Sequence, residues 1–305
     1  MDLYTTSKDD YLFLVRNTSN YFGLDYAVVE KDYFATLFLK KANASIPGLV
    51  FKGGTSLSKC FHIINRFSED IDLALDLEHS SQSSKRETNR TLIKLCSSPP
   101  FNLVNKELII GHTHGTYNCF EVGYPSLFGN ASYLAPQILV EMVNFLKCYP
   151  CIEIGACSYI GEYLISINKI DILEKYDLKP FLIKVQALER TFVDKVFAIC
   201  DYYEHREEYR NSRHIYDLFM IEKEIDLLSD KIKQLIKSVR NDRKKSKRCI
   251  SAADGYDINV TLQTIVNTNY YRKDYNDVTR LLLTKDLPYE IAITVINKIV
   301  KLNLF

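Results

Sequence analysis

Between Phe51 and Leu75 the chain reads F-K-G-G-T-S-L-S-K-C-F-H-I-I-N-R-F-S-E-D-I-D-L-A-L, and no other stretch constrains the fold as much. A short apolar run, Leu49-Val50-Phe51, leads into two glycines and two hydroxyl residues. After a helix-length gap, Asp70-Ile71-Asp72 opens a second strand-like run. Side chains two apart on a strand share a face. Asp70, Asp72, Ala74 and Asp76 therefore point one way, and Ile71, Leu73, Leu75 and Leu77 the other. Two carboxylates on one strand, facing a glycine-rich turn of phosphate-binding type, form a candidate site for a divalent metal and a nucleoside triphosphate.

The rest of the chain sets bounds on that reading. Its 305 residues suffice for one large domain or two, and an apolar fraction of 47% supplies a core. The 39 basic and 38 acidic residues nearly cancel, which argues against a general basic coat for nucleic acid but leaves room for a local patch. No run of about 18 apolar residues suggests a membrane span, and M-D-L-Y-T-T-S-K-D-D lacks the apolar region of a signal peptide. The expectation is a soluble cytoplasmic protein. Its eight cysteines are scattered, which favours free thiols over disulfides. Cys148-Tyr-Pro-Cys151 has C-x-x-C spacing but no second pair, so it reads as turn or buried cysteines around Pro150 rather than a metal site.

Hydrophobic spacing predicts helix over most of 11–47, with Asp25 and Ser19 as possible caps, then a strand at 49–51. A helix over 55–65 would turn Leu57, Phe61 and Ile64 inward, and the carboxylate strand would occupy 69–77. Residues 78–90 read as a loop leading into a helix. Segments 103–110 and 118–124 read as strands, with His112-Thr-His114-Gly115 a natural turn between them. The run 137–144 is apolar at both alternating sets of positions and predicts a strand buried at the centre of the sheet. Beyond about residue 180 the pattern turns helical, over 187–204, 213–228, 229–242, 257–269, 274–283 and 287–302. The fold class expected is therefore α/β (α+β), a mixed central sheet over residues 1–180 with N-terminal helices, followed by a helical bundle over 181–305.

Glu141 stands alone among Ile138, Leu139, Val140, Met142 and Val143. A buried carboxylate without a partner is costly, and a metal shared with Asp70 and Asp72 would remove the cost. The alternative is a strand-edge glutamate paired with a lysine or arginine. Mg²⁺ (or Mn²⁺) is commonly held by one or two carboxylates plus phosphates, and a metal pair can assist an in-line displacement at phosphorus. The backbone N–H groups of Gly53, Gly54 and Thr55 would hold the phosphates, with further contacts from the Thr55 and Ser56 hydroxyls. Arg66 and Ser68, just before the carboxylates, either touch phosphate or brace the loop.

These pieces resemble the AbiEii-type nucleotidyltransferase toxins of the polymerase-beta-like superfamily. The resemblance rests on G-G-T-S-L (53–57), R-F-S-E-D-I-D-L (66–73), V-E-M (140–142), A-L-E-R-T-F-V-D-K-V-F-A (187–198) and R-H-I-Y-D-L-F (213–219). It implies an α/β transferase core with a helical bundle, metal ligation by Asp70 and Asp72, and a toxin with a cognate antitoxin. Some members of the family transfer nucleotides to the 3′ end of tRNA and block translation. Lys195 and Asp217 fall at the family's distal lysine and aspartate. Helical spacing independently puts Lys195 on the face of Leu188, Phe192 and Ile199, where it needs an anion such as a triphosphate, or a neighbour such as Glu189 or Glu204. Asp217 has an ordinary i,i+4 alternative in Arg213.

The acceptor is less constrained. R-N-D-R-K-K-S-K-R, Arg240 to Arg248, reads either as an RNA-phosphate contact or as a solvated loop. Arg206, Arg210 and Arg213 with Tyr202, Tyr203 and Tyr209 form a second basic and aromatic group suited to nucleotide or RNA. His112 and His114 lack a third metal ligand at suitable spacing. Nucleotidyl transfer to tRNA or other RNA is the first expectation. Transfer to a small molecule or protein side chain, and a binding protein without turnover, are the alternatives.

Overall fold

The computed structural model describes residues 2–66, 68, 70–76, 82–111, 117–128, 134–144 and 146–305, with the side chains of 82, 110 and 111 left aside. The chain divides into two compact units. The first comprises Met1–Phe61, Ser68–Asn144 and Cys151–Val185; the second comprises His62–Phe67, Phe145–Pro150 and Gln186–Phe305.

The first unit is built on a seven-stranded mixed sheet. Its strands are β1 (Leu49–Lys52), β2 (Asp70–Leu75), β3 (Asn102–Leu103), β4 (Tyr117–Gly123), β5 (Gln137–Val143), β6 (Cys151–Ala156) and β7 (Phe181–Gln186), in the order β3-β4-β5-β2-β1-β7-β6. β2 runs parallel to β5 and antiparallel to β1, and β1 is parallel to β7. Ile71 and Leu73 of β2, Phe120 and Val122 of β4, and Ile138, Val140 and Met142 of β5 are buried in one core with Phe34, Phe38 and Leu39 of the helix Tyr26–Ser45. Each such side chain contributes roughly 1.5–3 kcal/mol on burial.

That helix begins where Asp25 accepts a hydrogen bond from the Ala27 N–H, at 2.8 Å. It is buried nearly all round, so its charged residues need partners. Glu30 accepts from the Tyr11 hydroxyl at 3.2 Å and the Leu127 N–H at 2.8 Å. Asp32 binds the buried Lys59 ammonium and accepts from the Tyr159 N–H at 2.8 Å. Near this pair, burial and the charge of Asp32 push the Glu162 carboxyl up to about 7 despite Lys59. Ser19 caps no helix start; its hydroxyl donates to the Leu24 carbonyl.

Several boundaries differ from the sequence expectation. The helix after β1 runs only Gly53–Lys59, and Ile64 is buried from irregular chain. The predicted strand 103–110 stops at Leu103 and continues as a helix over Lys106–Gly111. The reason is Asn105, whose side chain accepts from the Glu121 N–H at 3.0 Å and donates to the Cys119 carbonyl at 2.8 Å. It satisfies the edge of β4 in place of further backbone. Nor is β5 buried on both faces: Ile138, Val140 and Met142 are, but Leu139, Glu141 and Val143 remain half-exposed. Leu77 and the 78–81 part of the expected loop lie outside the described residues, as do His112, His114 and Gly115.

The second unit is helical, with principal helices at Leu188–His205, Arg213–Ile221, Asp230–Arg243, Ile258–Thr268 and Thr294–Lys301. Residues 275–282 form a π-helical turn followed by a 3₁₀ turn. Segment 62–67 belongs here because the Asn65 N–H donates to the Tyr216 hydroxyl at 2.9 Å and its carbonyl accepts from the Thr284 N–H at 2.8 Å. All eight cysteines are free thiols. Among the described residues no helix is long and apolar enough to cross a membrane.

Candidate active site

The open face of the first unit's sheet carries a row of chemistry. Lys52 stands opposite Asp72, Asp72 in register with Glu141, and Glu141 opposite Cys119. Paired residues in adjacent strands present their side chains to one face, about 4.8 Å apart along the row. Asp70, two residues before Asp72, lies on the same face beside Leu139. Asp70, Asp72, Glu141 and Lys52 are all half-exposed. Glu141 is thus not the buried carboxylate that its apolar neighbours suggest, because strand alternation turns Ile138, Val140 and Met142 to the opposite face and leaves Leu139 and Val143 half-exposed beside it. Asp76, expected on this face, lies just past β2 and is paired with Lys184 at 3.5 Å.

Tyr117 adds an aromatic side chain at the end of β4. Burial, the charge of Glu141 and a hydrogen bond to it all push the Tyr117 hydroxyl up, so it stays protonated and donates to Glu141. Burial and the charges of Glu141 and Asp70 push the Cys119 thiol up to about 11. The carboxylate row therefore carries an excess of negative charge, as a cation site needs.

The glycine turn meets this row directly. Gly53 has φ +75, and a Cβ there would overlap the Asp72 carboxylate. Glycine is required both by the left-handed backbone and by the close approach. Thr55 and Ser56 are buried, with their hydroxyls directed into the protein. Thr55 donates to the Asp70 carbonyl and lies 3.0 Å from the Ser68 hydroxyl, and Ser56 donates to the Gly53 carbonyl at 2.8 Å. These three hydroxyls brace the turn against β2. Lys52 was missed in the sequence; the signal was its place immediately before the glycines, at the end of β1.

Among the described residues, no group of three or more His, Cys, Asp or Glu side chains converges closely enough to hold a metal ion as they stand. The three carboxylates form an open shelf. Such a donor set suits Mg²⁺, which keeps waters and takes part of its coordination from substrate phosphates, better than a metal needing an all-protein cage.

A second cluster lies within the second unit. Arg66 grips Asp217 with two parallel bonds, Nε to Oδ1 at 2.8 Å and Nη2 to Oδ2 at 2.9 Å. Lys195 Nζ donates to Asp217 Oδ2 at 2.7 Å and approaches His214 Nδ1 at 3.4 Å. Asp217 is fully buried, and Arg66 and Lys195 nearly so. Burial alone would raise the Asp217 carboxyl, but Arg66 and Lys195 outweigh it and hold the carboxyl far below its ordinary range. The partners of Asp217 are thus long-range rather than the i,i+4 Arg213, and Lys195 pairs with Asp217 rather than Glu189 or Glu204.

Of the basic and aromatic groups in the C-terminal half, Arg243 is buried, whereas Lys244, Lys245, Lys247, Arg248, Arg206 and Arg210 are exposed. Arg243 is buried against Asp194 at 3.3 Å and Asp201 at 2.9 Å. Arg240 donates to the Tyr256 carbonyl at 3.1 Å, Lys244 pairs with Asp254, and Lys245 with Asp242 at 3.2 Å. Tyr202 stacks on His214 and Tyr203 packs edge-on to Tyr270, which leaves Tyr209, 75% exposed, between Arg206 and Arg210.

A family model described as nucleotidyl transferase AbiEii toxin, type IV TA system, matches residues 38–291. No curated protein matches the chain.

Proposed function

Since the chain belongs to the AbiEii family of nucleotidyl transferase toxins from type IV toxin–antitoxin systems, we propose that it moves a nucleoside monophosphate from a nucleoside triphosphate to an RNA hydroxyl, tRNA being the acceptor class. The observation that carries this reading is the open row Lys52, Asp72 and Glu141, with the Gly53 backbone pressed against Asp72. In this reading Asp70, Asp72 and Glu141 hold Mg²⁺ or Mn²⁺. A metal bound there would supply Lewis-acid activation of the attacking hydroxyl and charge neutralisation for the pyrophosphate.

The chain's own groups do the rest. Backbone N–H groups of Gly53, Gly54 and Thr55 receive phosphate oxygens, and Lys52 adds a cation on the same face. Ser56, Thr55 and Ser68 keep the turn rigid through the hydroxyl contacts described above. Lys195 serves as the family's distal lysine for the triphosphate. Asp217 fixes that lysine and favours its charge, against burial and the like charges of Arg66 and Arg213, which together lower its pKa. The family implies an antitoxin partner; we assign the activity to the cytoplasm, where triphosphates and tRNA are found.

A second reading, transfer to a small molecule or a protein side chain, draws support from one observation. Four cations of the 240–248 run, Arg240, Arg243, Lys244 and Lys245, already have a carboxylate or carbonyl partner within the chain, two of them at the surface. Incubating the purified protein with Mg²⁺, each α-labelled nucleoside triphosphate and total tRNA, beside Asp70→Ala and chelator controls, separates the readings. Label on RNA with the wild type alone supports the first; label on the protein alone supports the second. Equal cellular effects of wild type and Asp72→Ala would favour binding without turnover over both.

A further inference from the structure

His214 sits in the distal cluster without a part in the reaction as derived so far. Its ring is stacked on Tyr202, with centroids 5.5 Å apart and planes 19° from parallel. That contact fixes the plane of the ring, and its Nδ1 comes within 3.4 Å of Lys195 Nζ. Burial lowers the Lys195 pKa while Asp217 favours its charge; as an ammonium it can only donate, so Nδ1 then accepts and the ring proton sits on Nε2. Lys195 has three N–H groups. One goes to Asp217 Oδ2 at 2.7 Å and a second faces His214, and the third meets no acceptor among the described residues.

We infer that His214 is a positioning residue: its Nδ1 lone pair and Asp217 together hold the Lys195 ammonium in one orientation, with its third N–H kept for a phosphate-bearing ligand. The nucleotide part of this inference rests on the proposed transferase reading; the Lys195–His214 contact does not. The charges around the ring support it. Burial comes first, then Lys195, Arg213 and Arg66, all driving the imidazole pKa well below its ordinary value, with Asp217 alone opposing them. A neutral ring keeps its acceptor, whereas an imidazolium would set N–H against N–H and add a further positive charge to a cluster holding three cations and one carboxylate.

Two measurements on the full chain test this. Two-bond ¹H–¹⁵N spectra of imidazole-labelled, nucleotide-free protein should show His214 as the neutral Nε2–H tautomer throughout pH 5–8, and Lys195→Met should move its titration midpoint up toward the ordinary histidine value. A His214 that titrates near its ordinary value in the wild type, or that ignores Lys195→Met, overturns the contact. Triphosphate binding is then compared in His214→Phe, which keeps a flat ring against Tyr202, and His214→Asn, which returns an acceptor oxygen. The Phe variant should weaken binding by roughly 10-fold and the Asn variant should recover most of it. Equal binding by wild type and Phe variant overturns the positioning role. A wild type that binds no triphosphate, but shows the expected spectra, leaves His214 holding Lys195 and sinks the transferase reading instead.

Discussion

The sheet face of the first unit and the buried cluster of the second hold acidic groups in opposite ways. Asp70, Asp72 and Glu141 lie half-exposed on a shelf where neighbouring carboxylates crowd each other and the cation opposite, Lys52, has no ion pair among the described residues. Asp217 is sealed from solvent and saturated, with two bonds from Arg66 and one from Lys195. On the shelf, Asp72 and Glu141 stand in register, and their like charges oppose one another. The carboxylate in the cluster is already compensated by two cations, so its work is to hold those side chains in place. A carboxylate's exposure and partners, more than its presence in a motif, separate a ligand-binding role from an architectural one.

The sharpest test of the contrast is Asp72→Ala. It should lower transferase activity by at least about 10³-fold, measured as label incorporation, while thermal unfolding hardly moves, because a half-exposed carboxylate among like charges adds little stability. Asp217→Ala should behave the other way. It leaves Arg66 and Lys195 buried without their anion and should cost about 3–5 kcal/mol in denaturant unfolding. If both variants lose activity with stability intact, the division into shelf and clamp is wrong. The same logic has a pH signature. The folded Asp217 carboxyl titrates below its unfolded counterpart, so its stabilisation is complete above about pH 5 and falls away as the pH drops through about 4 and lower. Unfolding of Asp217→Asn followed over that window should lose most of this slope.

Gly53→Ala probes the shelf through its backbone. Strain at a positive φ and the clash with Asp72 should cost about 1–2 kcal/mol of stability and displace the carboxylate, lowering activity by about 10-fold or more. The smallest effect is expected at Glu162, a carboxylate neither on the shelf nor clamped. Its folded pKa of about 7 exceeds the unfolded value, so the protein should lose stability as pH rises from about 4.5 to 7. Glu162→Gln should flatten that dependence and gain on the order of 1 kcal/mol at pH 8. No change in the slope would place Glu162 with the solvated carboxylates.

Much of the shelf was legible because period-two spacing is a local rule: it placed Asp70 and Asp72 on one face without any knowledge of neighbouring strands. The register of β1 and β5 against β2 was not legible, since pairing is decided by non-local contacts. For that reason Lys52 escaped notice and Glu141 looked buried. The partners of Asp217 were hidden for the same reason, Arg66 lying far back in sequence on a segment without regular structure. Asn105 shows a further limit, where one side chain's hydrogen bonds to β4 overrule an apolar run that favours strand. The strands Cys151–Ala156 and Phe181–Gln186 are short and carry no clean alternation, so their positions become clear only in the sheet.

The row across β1, β2 and β5 also restricts how this protein can change by insertion and deletion. One residue gained or lost within Asp70–Leu75 would exchange the two faces of the strand, driving the aspartates into the apolar core and the isoleucine and leucines out of it. A change of two would preserve the faces but slide Asp72 away from Glu141 and Gly53. An insertion of one or two residues within β2 should therefore abolish the row, whereas a substitution at a single position leaves the register of the others intact.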